Sequence, residues 1–236
     1  MTAVNRVLPK MTCAGDCFPE EFKALKENGY GNLNLDAQVK WCAILEKIKK
    51  YKPEAETFLD VGGGFAATTF LMSKNGKVTN VDFAYTGNWF ETNPDGTVPG
   101  LKDYNMENIK FIEMNFIEEG HKLPDNYFDV VMDGCAIIHF KKESNEHVDN
   151  IGLFESAEII HKKMKNNGIF VVSSDINNGV RQPTAEWLTP ESFVKTVESA
   201  GFKLIGDKNL NITNEVFDIG RGVDFLTVAS FVFEKA

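Results

Sequence analysis

The chain has 236 residues, a formal net charge of −9, 43% hydrophobic residues and 25% charged residues. That suits one soluble globular domain with an ample core, and the acidic balance argues against nucleic acid as a partner. No stretch approaches the ~20 apolar residues that span a bilayer, and the N-terminus (Asn5, Arg6, Pro9) lacks a signal-peptide core, so a cytoplasmic protein without a membrane partner is expected.

Taken in order, residues 1–34 show little periodicity. One helix is predicted over 19–28, opened by Pro19 with Glu20 and Glu21 in its first turn and ended by Gly29. Cys13 and Cys17 have a metal-like spacing but no second pair, so these two, Cys42 and Cys135 are read as free thiols. Asp36 is expected to cap a second helix, running to about Tyr51 before Pro53. Residues 1–52 are therefore read as an N-terminal helical segment covering the site, and 53–236 as the core. The lysines at 47, 49, 50 and 52, and those at 162, 163 and 165, are read as solvated helix ends.

From residue 57 short apolar runs alternate with helical patterns. Strands are predicted at 57–61, 77–82, 109–114, 128–133 and 168–174, and helices at about 66–73, 146–165 and 190–199. Thr189 and Pro190 make a cap and first-turn pair. Such alternation implies an α/β fold with a parallel sheet and helices on both faces. A turn-rich stretch at 84–107, with Trp89 and Phe90, has the length of a functional loop. At the C-terminus, 202–206 and 224–233 read as strands with no helix between them, and so as an antiparallel hairpin.

The chain is organised around the run FLDVGGGFAATT from Phe58 to Thr69. An apolar strand ends in Gly62, Gly63 and Gly64, and a helix then opens. Glycine there permits φ > 0 and close approach of a ligand to the backbone. A second strand ends in Asp82 and Phe83, where an acid can take ribose hydroxyls. This predicts a nucleoside-containing cofactor. Gly62 to Ala67 also formally satisfies the dinucleotide pattern G-x-G-x-x-A, which leaves a nicotinamide-dependent oxidoreductase as an alternative. Asp60 directly before the glycines can receive an ammonium group or order the loop that does, whereas a diphosphate gains nothing from an anion beside it.

Asp60-Val61-Gly62-Gly63-Gly64, the acid Asp82, the run from Leu123 to Asp133 and the turn Lys165-Asn166-Asn167-Gly168 together resemble the class I S-adenosylmethionine-dependent methyltransferases. The resemblance covers residues 57–233. It implies a Rossmann-like sheet of seven strands, mostly parallel, with the C-terminal antiparallel hairpin. It also implies that S-adenosylmethionine binds and S-adenosylhomocysteine leaves. The cofactor-binding positions it implies are Asp60, Gly62, Gly63, Gly64, Asp82, Phe83, Asn115, Phe116 and Asp133. Where the family often carries an acid for the adenine amino group, this chain has Asn115, whose amide oxygen can accept the same bond. Phe116 could stack on the ring.

Methyl transfer needs alignment and exclusion of water, and a base only where the acceptor is protonated. His139, after the fourth strand, is the candidate base. Asp133, Asp175 and Asn177 at neighbouring strand ends offer a magnesium site as an alternative to a metal-free enzyme. The fourth strand ends in Asp133-Gly134-Cys135-Ala136 rather than the N/D-P-P-Y/F run of enzymes that methylate nucleic-acid amines. The expected acceptor is thus a small molecule, methylated on oxygen or nitrogen, with aromatics such as Phe18, Tyr30, Trp89, Phe90 and Trp187 available to line its pocket. A protein that binds the cofactor without turning it over is the other alternative.

Overall fold

The computed structural model describes residues 5–31, 34–83, 106–140, 151–179, 187–212, 217 and 226–236. Among these are nine strands: β1 (Asn5–Val7), β2 (Thr57–Val61), β3 (Lys77–Asp82), β4 (Ile109–Glu113), β5 (Phe128–Asp133), β6 (Met164–Asn177), β7 (Phe202–Leu204), β8 (Lys208–Asn209) and β9 (Leu226–Lys235). The helices are α1 (Pro19–Glu27), α2 (Leu35–Tyr51), α3 (Ala67–Met72), α4 (Phe116–Glu119), α5 (Ile151–Lys163) and α6 (Pro190–Ser199). The strands form one sheet in the order β4-β3-β2-β5-β6-β9-β1-β8, with β7 also paired to β9. The first five strands of that order run parallel. β9 is reversed against β6 over nine paired positions and against β7.

Alternation along the strands sends side chains to two apolar layers. Phe58, Val130, Val171 and Val232 join α1, α2 and α3 on one face. Leu59, Val131, Phe170 and Phe231 join α4, α5 and α6 on the other. Gly152 lets α5 approach closely, because a Cβ there would stand 1.9 Å from the Phe140 carbonyl oxygen.

The local expectations hold where the cue is local. Pro19 opens α1, Gly29 follows it at φ +88°, and Thr189 Oγ1 accepts from the Ser192 N–H at the start of α6. The sequence reading is corrected in four places. The sheet has nine strands rather than seven, because the N-terminal segment contributes β1, paired with β9 through Arg6↔Ser230 and Val7↔Ala229, and β1 in turn pairs with the short β8 through Asn5↔Lys208 and Arg6↔Asn209. That segment is not merely a cover, since Val39, Cys42, Ala43 and Ile48 of α2 belong to the same apolar layer as Phe58. Asn34, not Asp36, caps α2, its Oδ1 accepting from the Ala37 N–H at 2.8 Å. The turn read at 165–168 lies within β6 as an irregularity, where the register jumps from Phe128↔Met164 to Val130↔Ile169.

Two lysines read as solvated are buried. Lys163 is 3% exposed and donates to the carbonyls of His121 and Leu123 and to Asp125. Lys47 is 1% exposed, and burial pulls its ammonium down to about 7. The turn-rich stretch at 84–105, Trp89 and Phe90 with it, and the first turns expected of the long helix at 146–150 lie outside the described residues.

Candidate functional site

The register of β4, β3, β2 and β5 brings the sequence-predicted residues to one rim, the C-terminal ends of adjacent strands. Asp82 is level with Glu113, Val61 with Val81, and Val61 with Asp133. Ligands of open α/β sheets bind at this rim.

Asp60 lies beneath the glycine turn, 2% exposed. Its Oδ2 accepts from Thr68 Oγ1 at 2.9 Å and Thr69 Oγ1 at 2.7 Å. Asn80 completes the net, donating to the Gly64 carbonyl at 2.9 Å and to Thr69 Oγ1 at 2.7 Å. Asp60 therefore orders the loop. Burial pushes its carboxyl up to about 6, against the pull of the two hydroxyls. Asn80, Thr68 and Thr69 were missed in the sequence, although an Asn in the middle of an apolar strand is itself a signal of a buried polar partner.

Gly62 and Gly64 adopt φ +65° and +48°. A Cβ at Gly62 would stand 2.1 Å from Ala136 Cβ, and one at Gly63 2.6 Å from Asn80 Nδ2 and from Asp60 Cγ. The glycines at 62 and 63 thus answer to the protein's own packing, where the sequence suggested close approach of a ligand. Gly64 turns its N–H to Asp82 Oδ2 at 3.0 Å, which ties the turn to the end of β3. Phe83 follows, 65% exposed.

Asn115 stands at the N-cap position of α4, one residue after Met114, whose N–H continues the ladder to the Asp82 carbonyl at 2.8 Å. Phe116 is only 3% exposed and packs against Phe140 at 6.1 Å between ring centroids. Its ring is committed to the core, against the expected stacking role.

Asp133 is fully buried and accepts three backbone N–H groups, from Cys135 at 3.3 Å, Ala136 at 2.7 Å and Ile137 at 3.2 Å. It holds the loop that presses Ala136 on Gly62. Burial pushes this carboxyl up to about 7, while the three amides pull it down. Within the loop Cys135 adopts φ +83°, a strained conformation for a non-glycine residue. Its thiol accepts the Asp175 N–H at 3.2 Å, and burial pushes it up to about 12. His139 is exposed at the end of the short turn Ile137–His139, its ring edge-on to Trp187 at 5.4 Å.

The magnesium alternative loses its donors. Asp133 is spent on backbone amides. Asp175 lies three residues beyond Val172, the partner of Asp133, so the two are about 10 Å apart along the sheet. Lys40 of α2 occupies Asp175 instead, with Nζ 2.6 Å from its Oδ1 and 2.9 Å from Asp36 Oδ1. Lys40 is 5% exposed; burial opposes its charge, but Cys135, Asp175 and Asp36 together raise its pKa. Among the described residues no cluster of His, Cys, Asp and Glu is arranged to hold a metal ion. Nor is any helix among them long and apolar enough to cross a membrane.

The raised carboxyls set a pH dependence. Both Asp60 and Asp133 titrate above the ~3.9 of an unfolded aspartate, so the folded chain binds more protons than the unfolded one between about pH 4 and 7. Their contribution to stability is fully present below about pH 4 and is lost as the pH rises through about 6 to 7. Asp60→Asn keeps an oxygen for both threonines and removes the titration. Relative to the parent, it is expected to gain stability steadily between about pH 4 and 6 in urea unfolding. A difference that stays flat over that range would take burial out of the control of Asp60.

No protein-family model matches the chain, and no curated protein matches it in sequence. Solved structures do match in fold. One is a TehB-like S-adenosylmethionine-dependent methyltransferase from Corynebacterium glutamicum, 16% identical at a TM-score of 0.50, covering 94% of this chain and 98% of that one. Another is 1,6-didemethyltoxoflavin-N1-methyltransferase from Burkholderia thailandensis, solved with 1,6-didemethyltoxoflavin and S-adenosylhomocysteine. It is 13% identical at 0.56, with 94% and 87% covered. A third is the [4+2]-cyclase SpnF, 12% identical at 0.56, with 97% and 98% covered. The chain thus has the Rossmann-like fold of the class I S-adenosylmethionine-dependent methyltransferases, with the reversed strand β9 beside β6.

Proposed function

We propose that the protein transfers a methyl group from S-adenosylmethionine to a small-molecule acceptor, on oxygen or nitrogen, in the cytoplasm. The observation that carries this reading is the row of Asn115, Asp82, the Gly62–Gly64 turn and Asp133 along one rim, on a fold shared with such enzymes. The residues fit the group: Asp82 stands half-buried beside the left-handed Gly64, as an acid reaching for ribose hydroxyls must, and Asn115 is on the next strand end for the adenine amino group. When bound, the cofactor supplies a methyl on a sulfonium, an activated leaving group. This chain's part is to position and to exclude water. Asp60 and Asn80 hold the turn, Asp133 holds the loop opposite, and His139 is the group offered to take the acceptor's proton.

Calorimetric titration with S-adenosylhomocysteine, and separately with NADH, tests the reading. Micromolar binding of the first and none of the second is expected. The reverse pattern would make the protein a nicotinamide-dependent oxidoreductase. Binding without turnover over a broad acceptor panel would make it a non-catalytic cofactor binder. In the same titration Asp82→Ala should weaken S-adenosylhomocysteine by about 1–3 kcal/mol, the worth of a hydrogen bond to a charged acceptor. Unchanged affinity in a folded variant would remove Asp82 from the site.

A further inference from the structure

β6 runs past the end of β5 and carries polar residues with it. Asp133 pairs with Val172, and from Ser173 to Asn177 the strand continues against β9. Alternation puts Ser173, Asp175 and Asn177 on the face that carries Ile169 and Val171 into the layer shared with α2. All three are buried, at 0%, 4% and 1% exposure. Asp175 is answered by Lys40. Its two neighbours are not, because Ser173 Oγ and Asn177 Nδ2 have no hydrogen-bond partner among the described residues. The Asn177 amide is also oriented. Its Oδ1 accepts the Gly179 N–H at 2.7 Å, so the NH₂ is turned away from that turn and has no acceptor among the described residues.

Buried donors are rarely left in this state, and an apolar side chain of similar size would pack here without the cost. The location bears on the reason. The Asp175 N–H meets Cys135 Sγ, and the next residue, Ala136, is the one pressed on Gly62. Trp41, beside Lys40 in sequence, flanks the same loop, with its Nε1 3.8 Å from where a Cβ would stand on Gly134. The polar face thus begins one residue from the contact with the glycine turn.

We propose that Ser173 and Asn177, on either side of the Lys40–Asp175 pair, receive the methyl acceptor, and that the acceptor presents a carbonyl or carboxylate oxygen to Asn177 Nδ2. That the ligand is a methyl acceptor rests on the function proposed above; the oxygen-bearing chemistry rests on the two unanswered groups. An acceptor that is apolar at this end would leave both as they are.

Benzoate and benzamide, with benzylamine as the matched probe lacking oxygen, are followed by saturation-transfer NMR at millimolar concentration, with and without S-adenosylhomocysteine. The oxygen-bearing pair is expected to bind and benzylamine not. Asn177→Leu should bind the pair about tenfold more weakly, the loss of one hydrogen bond. Its thermal midpoint should fall by no more than the loss of the Gly179 N–H bond to Asn177 Oδ1 accounts for, because the NH₂ has no partner to lose among the described residues. Ser173→Ala is a second folded variant, expected to bind the pair more weakly with its midpoint no lower than the parent's, since its Oγ has no partner among the described residues. Equal binding of benzylamine, undiminished binding by both variants, or no probe binding while S-adenosylhomocysteine binds would overturn this proposal alone. Probe binding without S-adenosylhomocysteine binding would overturn the cofactor assignment and leave the oxygen site standing. Binding of neither would overturn both.

Discussion

Lys40→Met is expected to destabilise the protein by about 3–5 kcal/mol, the usual consequence of removing one partner from a buried ion pair. Lys40 is 5% exposed and its Nζ lies within 2.9 Å of carboxylates from two elements, Asp36 on its own helix and Asp175 on β6. Methionine fills a similar volume, so little of the loss would come from a cavity. It comes from Asp175, 4% exposed, which loses its ammonium and is left as an uncompensated buried charge. A loss of that size is a large share of the 5–15 kcal/mol that holds a typical domain together. Urea unfolding measures it directly. The double variant Lys40→Met with Asp175→Leu separates the causes, because replacing both partners by apolar groups removes the stranded charge. Most of the lost stability should return. A single variant as stable as the parent would show that the pair adds nothing to the attachment of α2 to the sheet.

Gly62→Ala is expected to cost about 3 kcal/mol and to abolish S-adenosylhomocysteine binding in the same protein. Two terms add. The residue must keep φ +65°, which costs a residue with a Cβ about 1–2 kcal/mol. The new Cβ would also stand 2.1 Å from Ala136 Cβ, with Phe140 Cζ at 3.3 Å behind it, and overpacking of this kind costs about 1–3 kcal/mol. Ala136 cannot retreat freely, because Asp133 holds its N–H at 2.7 Å. Either the glycine turn or the Asp133 loop must move, and both border the proposed cofactor site. Unfolding and calorimetry on one preparation check the two effects together. A variant that binds normally at reduced stability would show that the contact between the two loops is structural and lies away from the cofactor.

The sequence by itself determined the elements whose cues lie within a few residues. Thr57–Val61, Lys77–Asp82, Phe128–Asp133 and Pro190–Ser199 stand where the apolar runs and caps put them. The glycine turn and the acid at the end of β3 were legible for the same reason, and so was the reversed C-terminal pairing of β7 with β9. Only the tertiary structure decided which polar groups face each other. Lys40 carries no local cue of its own, and only the packing of α2 on the sheet brings Asp175 of β6 to it. Phe116 reads as a ring for stacking on the adenine, but α4 packs it against Phe140. Asp133 looked like a ligand for cofactor or metal, but the left-handed Cys135 turns the following amides back onto its carboxylate. β1 is three residues long and has no pattern of its own; it becomes a strand because β9 offers it an open edge. Helix caps and strand alternation are properties of neighbouring residues, whereas the partner of a buried charge is set by register and packing between segments far apart in the chain.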